Sequence, residues 1–476
     1  MTIPILSRQN PWWSDITALH EDPHIEEYHQ AAIKWEPPYF SSLEVNRDCV
    51  YLIYGPRQVG KTTFFKLFIQ RLIEEKSIAP RNILYVNCEA LGALRPQELA
   101  ETVRDYLLWV RTGSEDRCYI FLDEATYLKD WERSIKILAD EGQLRNVTLF
   151  ATGSHAAGLR RGGERLPGRR GRGAKLDLLM LPLDFRRFLL ARKPHLTDKL
   201  VSIEEWDLKQ LYQAAVEISL LADQIVPLFS IYVHTGGFPR SIRDEAEFGR
   251  VKEDIYLLYR NGFIGDLVRI GRRENLLREL IQWIINRREN PFDWSHIARE
   301  TQLGTHPTVR EYVEDAEAAF LWYVLYRPQN LGSSLRASRS ARRVYFLDPF
   351  CFHAFRSWVF GYDNSWRATR EFLADPTHWG YLVENIVAAH LRRYFGELVF
   401  YWRNGQEIDF VVFREGKRFL LVEVKYRSRI QPQNARGLVQ NGGGLLLTRD
   451  HLEFFPKENV AAIPVPYFLA LIDTFG

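Results

Sequence analysis

An apolar run, Cys49-Val50-Tyr51-Leu52-Ile53-Tyr54, leads without a break into Gly55-Pro56-Arg57-Gln58-Val59-Gly60-Lys61-Thr62 and then Thr63. The run is β-branched and aromatic and reads as a strand buried on both faces. After Lys61, Thr63-Phe64-Phe65-Lys66-Leu67-Phe68-Ile69-Gln70-Arg71-Leu72 places apolar side chains at helical spacing. Strand, G-x-x-x-x-G-K-[ST] loop and helix in that order leave few folds open. The glycines let the backbone curl so that successive N–H groups face one point, and the helix start adds positive potential there. Phosphate oxygens fit such a point. Lys61 supplies charge for β- and γ-phosphates, and the Thr62 hydroxyl is a ligand for Mg2+.

Three more apolar runs follow: Asn82 to Asn87, Cys118 to Leu122 and Val147 to Thr152. Continuous apolar strands alternating with helical patterns predict a parallel sheet covered on both faces. Asp123 and Glu124 stand at the end of the second run, placed to hold Mg2+ and to polarise an attacking water respectively. The same pair also suits the N-cap of a helix over Lys129–Asp140. Ser154, at the end of the third run, is expected to sense the γ-phosphate.

Composition sets the outer limits. At 476 residues the chain has room for about three domains. Its 46% hydrophobic and 26% charged residues exclude wholesale disorder. A net charge of +3 is too small to mark the whole surface as a polyanion binder. Charge is local instead: Gly158–Lys175 holds six arginines and one lysine against one glutamate, and Arg336–Arg343 holds four arginines and no acid. The four cysteines (Cys49, Cys88, Cys118, Cys351) lack C-x-x-C spacing, so neither a zinc site nor a disulfide framework is expected. No apolar run reaches the ~18–20 residues of a membrane span, and residues 1–13 lack signal-peptide features. A cytoplasmic protein without a membrane partner is the expectation.

The stretches GPRQVGKTT, LDEATYLKDWERSIKILAD, ATGSH and LMLPLDFRRFL are together similar to one bacterial and archaeal group of AAA-type ATPases whose C-terminal domain has no assigned function. The resemblance spans nearly the whole chain. It implies an ATPase with ATP and Mg2+ as cofactors and Lys61, Thr62, Asp123 and Glu124 in the roles above. It also suggests Arg169 or Arg170 as an arginine finger, and Gly237-Phe238-Pro239-Arg240 as a lid whose Arg240 senses nucleotide. An arginine acting on a neighbouring copy requires a homo-oligomer, for which a hexameric ring is one form.

Helical patterns at Leu276–Arg287, Asp293–Glu300 and Thr308–Phe320 lead into strand-like Trp322–Tyr326 and Val344–Leu347, the order of a winged helix. Its would-be recognition helix carries Glu311, Glu314, Asp315 and Glu317 against Arg310, which opposes insertion into a DNA groove. The basic loop Ser333–Arg343 suits backbone phosphates better. Further on, Glu384 lies in a helical pattern, Asp409 in one strand pattern and Glu423 with Lys425 in the next. Strand alternation puts Glu423 and Lys425 on one face, and Asp409 on a neighbouring strand can share it. Two acids and a lysine so placed can hold Mg2+ and activate water. The arrangement resembles the PD-(D/E)XK nuclease fold, implying Glu384, Asp409 and Glu423 as metal ligands and Lys425 as a catalytic residue.

The expected fold is α/β. A P-loop NTPase core (36–190) follows an N-terminal helical extension (1–35). A helical lid (191–274), a winged helix (275–350) and a restriction-endonuclease-like domain (351–476) come after it. The leading functional expectation is an ATP-hydrolysing motor or switch acting on branched or duplex DNA (translocation, branch migration or junction remodelling in repair or recombination), with a nuclease-like C-terminal domain that binds DNA and is a candidate Mg2+-dependent endonuclease. The alternatives are a nucleotide-gated regulator of protein partners and an ATP-licensed defence nuclease.

Overall fold

The computed structural model describes residues 3–91, 95–113, 116–154, 169–171, 175–203, 205–287, 291–337, 341–430 and 432–474. Most of the basic stretch Gly158–Lys175 therefore lies outside the described residues, as does Arg339. The chain forms two compact units, Met1–Leu181 with Ala318–Phe320, and Pro182–Glu317 with Leu321–Gly476.

In the first unit the elements are α1 (Ile3–Gln9), α2 (Pro23–Gln30), β1 (Cys49–Tyr54), α3 (Lys61–Glu74), β2 (Ile83–Asn87), α4 (Pro96–Arg111), β3 (Cys118–Asp123), α5 (Glu132–Asp140), β4 (Val147–Gly153) and β5 (Asp177–Leu179). The five strands form one parallel sheet in the order β2-β3-β4-β1-β5. All residues of β1, β3 and β4 are buried, the signature of a sheet with both faces covered. Phe65 and Phe68 of α3 pack edge-on against Phe121 and Phe150, which stack at 4.9 Å. Because neighbours β1, β4 and β3 are parallel and in register, their carboxyl ends line up. The Gly55–Thr62 loop, Asp123 and Thr152 so come to a single edge of the sheet.

The N-terminal extension has a structural task that its sequence does not announce. Strand β2 is the sheet edge, and its free backbone groups invite pairing with another chain. The Asn10 side chain imitates a strand there: it accepts from Tyr85 N (2.6 Å) and donates to Tyr85 O (2.9 Å). Trp13 Nε1 donates to Ile83 O (2.7 Å), and the Gln9 side chain accepts from Asn87 N (2.8 Å).

The second unit holds α6 (Phe185–Arg192), α7 (Leu208–Ser219), α8 (Ala222–Thr235), α9 (Pro239–Phe248), α10 (Glu253–Arg269), α11 (Glu274–Asn286), α12 (Trp294–Glu300), α13 (His306–Ala318), strands β6 (Trp322–Tyr326), β7 (Pro328–Asn330), β8 (Ser333–Arg336) and β9 (Arg342–Phe346), then α14 (Pro349–Phe360), α15 (Ser365–Ala374) and α16 (Thr377–Phe395). It ends with β10 (Val399–Asn404), β11 (Gln406–Arg414), β12 (Lys417–Lys425), α17 (Arg436–Gln440), β13 (Gly444–Thr448), β14 (Glu453–Phe455), β15 (Val460–Pro464) and α18 (Val465–Leu471). β6 and β9 form an antiparallel hairpin after three helices, with a short β7–β8 hairpin nested inside. A bridge between Phe292 and Arg342 extends it. The last sheet is mixed, in the order β10-β11-β12-β13-β15-β14: β10 to β12 are antiparallel, while β12, β13 and β15 run parallel.

The lid, three-helix and C-terminal segments share one body. Asn385 of α16 brackets the hairpin by accepting from Phe346 N (2.7 Å) and donating to Phe346 O (2.8 Å). Phe185 N donates to His390 Nε2 (2.9 Å), whose pKa burial lowers to about 3, so the ring accepts as neutral imidazole. Arg187 pairs with Asp473 at 2.7 Å, and buried Arg186 donates to Leu200 O and Ala470 O. Residues 182–190, read from sequence as the end of the ATPase core, therefore pack in the second unit against its last residues. No single helix among the described residues is long and apolar enough to cross a membrane; α7 and α8 reach that length and apolarity only as a pair bent by 100°.

Candidate functional site

The edge formed by β1, β4 and β3 carries the predicted phosphate-binding apparatus. Gly55 has no space for a side chain, since a Cβ there would lie 1.8 Å from Met180 O. Gly60 takes φ +101° and caps α3, whose first amides open toward the loop. Lys61, 4% exposed, donates to Gly55 O and Pro56 O at 3.0 Å each and lies 3.5 Å from a Glu124 oxygen. Arg57 lies 3.9 Å from Glu89. Val59 is fully buried and anchors the loop.

Asp123, 1% exposed, is surrounded by hydroxyls. It accepts from Thr62 Oγ1 (2.7 Å), Tyr85 OH (2.9 Å) and Thr152 Oγ1 (2.6 Å). Burial, with the Asp123 charge next, pushes the Tyr85 phenol far above its ordinary pKa, so it stays a donor. Glu124 sits in the left-handed region (φ +50°), rare for a residue with a side chain, and its amide donates to the same Thr152 Oγ1 (2.8 Å). The sequence reading missed Thr152 and Tyr85. Thr152 was legible as a polar side chain ending an apolar strand. Tyr85 was not, because only strand pairing brings β2 beside β3.

Ser154 is 1% exposed, and its hydroxyl has no partner among the described residues. The amide cradle, the Lys61 ammonium, the Thr62–Asp123 pair and this orphan hydroxyl together fit a triphosphate with its Mg2+.

The two finger candidates form ion pairs within their own unit. Arg169 is bound to Asp140 (2.6 Å) and Arg170 to Asp177 (2.9 Å). Arg170 O accepts from Val50 N, at the amino end of β1, the opposite end of that strand from the phosphate loop. Arg240 belongs to the second unit, on α9. The Gly236-Gly237 turn before it has a structural reason: Gly237 N donates to buried Asp348 (2.9 Å), and a Cβ on Gly237 would lie 1.9 Å from Leu183 O. Phe350 N also donates to Asp348, whose pKa burial raises to about 6 against the pull of Arg393 and these amides.

The second carboxylate group departs from expectation. Glu423 and Lys425 do share a face of β12, with Lys425 Nζ 2.9 Å from Glu423 Oε1. Burial would lower the Lys425 pKa, but the nearby Asp409 and Glu423 charges raise it on balance. Asp409 of β11 accepts from Val424 N (2.8 Å). Glu384 of α16, however, does not join them at one metal position. Arg343 of β9 stands between: its guanidinium is 3.1 Å from Glu384 and 3.7 Å from Asp409, and it is hydrogen-bonded to Glu407. Among the described residues no three carboxylate, histidine or cysteine side chains are set to hold one metal ion. Glu384, Asp409 and Glu423 as a Mg2+ triad is thus corrected by a cation the sequence reading assigned to the wing.

The wing reading changes as well. Arg336 pairs with Glu397 (2.9 Å) and lies over Tyr326; Arg342 lies over Trp294. Arg343 is buried and Arg342 half-buried against their own unit, while Arg336 makes its pair at the surface with its side chain about half exposed. The acids of α13 are also neutralised internally: Arg272 binds Glu311 and Asp315, and Arg310 binds Glu314.

Comparison with known proteins places residues 47–189 in a family model described as an AAA domain. Residues 379–468 match a domain of unknown function, DUF4143, and residues 227–359 another, DUF8612. The latter match runs across the boundary that the sequence reading set between lid and winged helix. No curated protein matches the chain. Similar solved structures include a Walker-type ATPase of Pyrococcus abyssi (15% identity, 65% of this chain, 91% of that one, TM-score 0.40). The Aeropyrum pernix ORC2 protein in ADPNP–ADP complexes is another (12%, 72% and 92%, TM-score 0.34). A third is the Thermotoga maritima RuvB Holliday junction branch migration motor (19%, 61% and 85%, TM-score 0.27).

Proposed function

Because residues 47–189 form an AAA-type P-loop ATPase domain, we propose that this chain is an ATP-hydrolysing motor or switch that acts on DNA, by translocation, branch migration or junction remodelling. The single observation that carries the ATPase half is the joining of Lys61, Thr62, Asp123 and Glu124 at one sheet edge. Lys61 neutralises β- and γ-phosphate charge. Thr62 and Asp123 would hold Mg2+, which supplies further charge stabilisation at the phosphates. Glu124, 3.5 Å from Lys61, takes the proton of the attacking water, and Ser154 offers its hydroxyl to the γ-phosphate.

Support for the DNA half comes from the second unit. A cleft of about 530 Å³ is lined by Arg250, Lys252, Arg367 and Arg370 around half-buried Trp366, with Glu253 and Glu371 its acids among the described residues. Cations around an indole suit a nucleic-acid backbone with a stacked base. The helix order ending in the β6–β9 hairpin supports a winged-helix reading, and the mixed sheet with Glu423 and Lys425 on β12 supports a PD-(D/E)XK-like one. Both serve in this proposal as DNA-contacting platforms.

The test is phosphate release by wild type, Lys61→Ala and a paired Arg250→Glu/Arg370→Glu variant, each with branched, duplex and single-stranded DNA. Stimulation by at least one DNA, weakened in the cleft variant, is expected; equal rates with and without every DNA overturn the DNA half. A second reading, a nucleotide-gated regulator of a protein partner, is favoured by α13, whose one arginine, Arg310, is spent on Glu314. Slow turnover unaffected by DNA supports it.

A further inference from the structure

The buried arginine of β9 is the least expected group in the second unit. Arg343 is 6% exposed and faces carboxylates from two other elements: Glu384 on α16, and Glu407 and Asp409 on β11. It also donates to Tyr345 OH (3.2 Å), which in turn donates to Glu384 Oε1 (2.6 Å). Its guanidinium lies 5.4 Å from the Tyr401 ring centroid. Enclosing Asp409 and half-buried Glu384 costs heavily unless a positive charge sits among them. Three sources of that charge are available: a divalent metal, Lys425 or Arg343. Lys425 is bound to Glu423 and its charge also reaches Asp409 and Glu384, while Arg343 holds the position between Glu384 and Asp409.

We infer that Arg343 is the resident cation of this carboxylate cluster, a built-in substitute for a divalent metal, and that the cluster takes up no such metal while the guanidinium is in place. A delocalised guanidinium suits the role, since its fixed fork of donors can serve several carboxylates at once and it does not lose its charge. The cluster then acts as a clamp that fastens the β6–β9 hairpin to α16 and the C-terminal sheet. It also leaves a latent site. With Arg343 withdrawn, Lys425, already bound to Glu423, would be left to offset Glu384 and Asp409 as well. Glu423 Oε2, buried and without a partner among the described residues, lies in the same cluster. Those are the conditions under which a divalent cation is drawn in. The inference does not depend on the chain's action on DNA, and its test can fail while DNA-stimulated hydrolysis succeeds.

The experiment titrates Mn2+ alone, followed by electron paramagnetic resonance of the free ion, into nucleotide-free full-length chain. Wild type, Asp409→Asn, Arg343→Met and Arg343→Met/Asp409→Asn are compared, with far-UV circular dichroism to confirm folding. Wild type and Asp409→Asn should bind Mn2+ alike. Arg343→Met should gain one saturable site at least tenfold tighter, lost again in the double variant. An Asp409-dependent site in wild type overturns the inference, as does a folded Arg343→Met that gains none. Glu407→Gln covers the case in which Arg343→Met does not fold. It removes one anchor of the guanidinium at a partly exposed position, leaves the other carboxylates intact, and should give an intermediate gain; no gain there counts against the inference.

Discussion

At the end of β3, Asp123 is ringed by three hydroxyls, and Lys61 of the phosphate loop rests on two loop carbonyls 3.5 Å from Glu124. On β11 and α16, Asp409, Glu384 and Glu407 close around Arg343. Both groups put a buried aspartate and its neighbouring acids beside a basic side chain, and their chemistry diverges on how that base is held. Neutral hydroxyls fix Asp123 without cancelling its charge, so a cation is still attracted there. A guanidinium bound by several acids cancels theirs. An acidic cluster read from sequence is therefore a metal site only when no internal cation reaches it first.

That contrast can be attacked most sharply at Glu124. Glu124→Gln should keep nucleotide binding, measured by fluorescent-nucleotide titration, while phosphate release falls by about 10²–10⁴-fold, the range for losing a positioned proton acceptor. Unaltered release would remove Glu124 from the chemistry. Lys61→Ala comes next, with an expected loss of about 10²–10³ in turnover as the charge aimed at the phosphates disappears. Retained turnover would equate the loop with an inert turn.

The third test uses Asp348, a buried carboxylate held mainly by backbone amides. Burial raises its pKa from 3.8 to about 6. The folded chain thus holds that proton more tightly than the unfolded chain does. The stability so gained is complete below about pH 4 and is lost as pH rises through 6; two units correspond to about 3 kcal/mol. Urea unfolding of the second unit should show a decline between about pH 5 and 7.5 that Asp348→Asn flattens; an identical slope in the variant would refute the assignment. The smallest effect is expected for Tyr85→Phe, which removes one of three donors to Asp123 at a cost of about 1.5 kcal/mol. Thermal melting and turnover both report it. A larger collapse would mean that the hydroxyl shell acts as one unit.

Much of the first unit was legible. The apolar strands at 49–54, 118–122 and 147–152 were visible because a sheet covered on both faces needs uninterrupted hydrophobic runs. The phosphate loop was visible because its glycines and lysine meet local backbone and charge requirements. Less could be read where partners lie far apart in sequence. Asn10 looks like an ordinary helix-end residue until Tyr85 pairs with it. The finger reading of Arg169 and Arg170 came from the family resemblance, and their partners Asp140 and Asp177 emerged only on folding. Arg343 was the costliest case. It belonged to a basic stretch that reads as a solvated wing, while its alternation with Tyr345 on β9 turns both side chains into the unit.

By itself the sequence determined which segments become strands and helices and where a triphosphate can be gripped, since those properties depend on residues within a few positions of one another. Tertiary structure alone decided which carboxylates keep an unmet charge and which are already matched. Electrostatic partners are chosen by distance in space, and a cation 41 residues before Glu384 and 66 before Asp409 can occupy a position that no local pattern reserves for it.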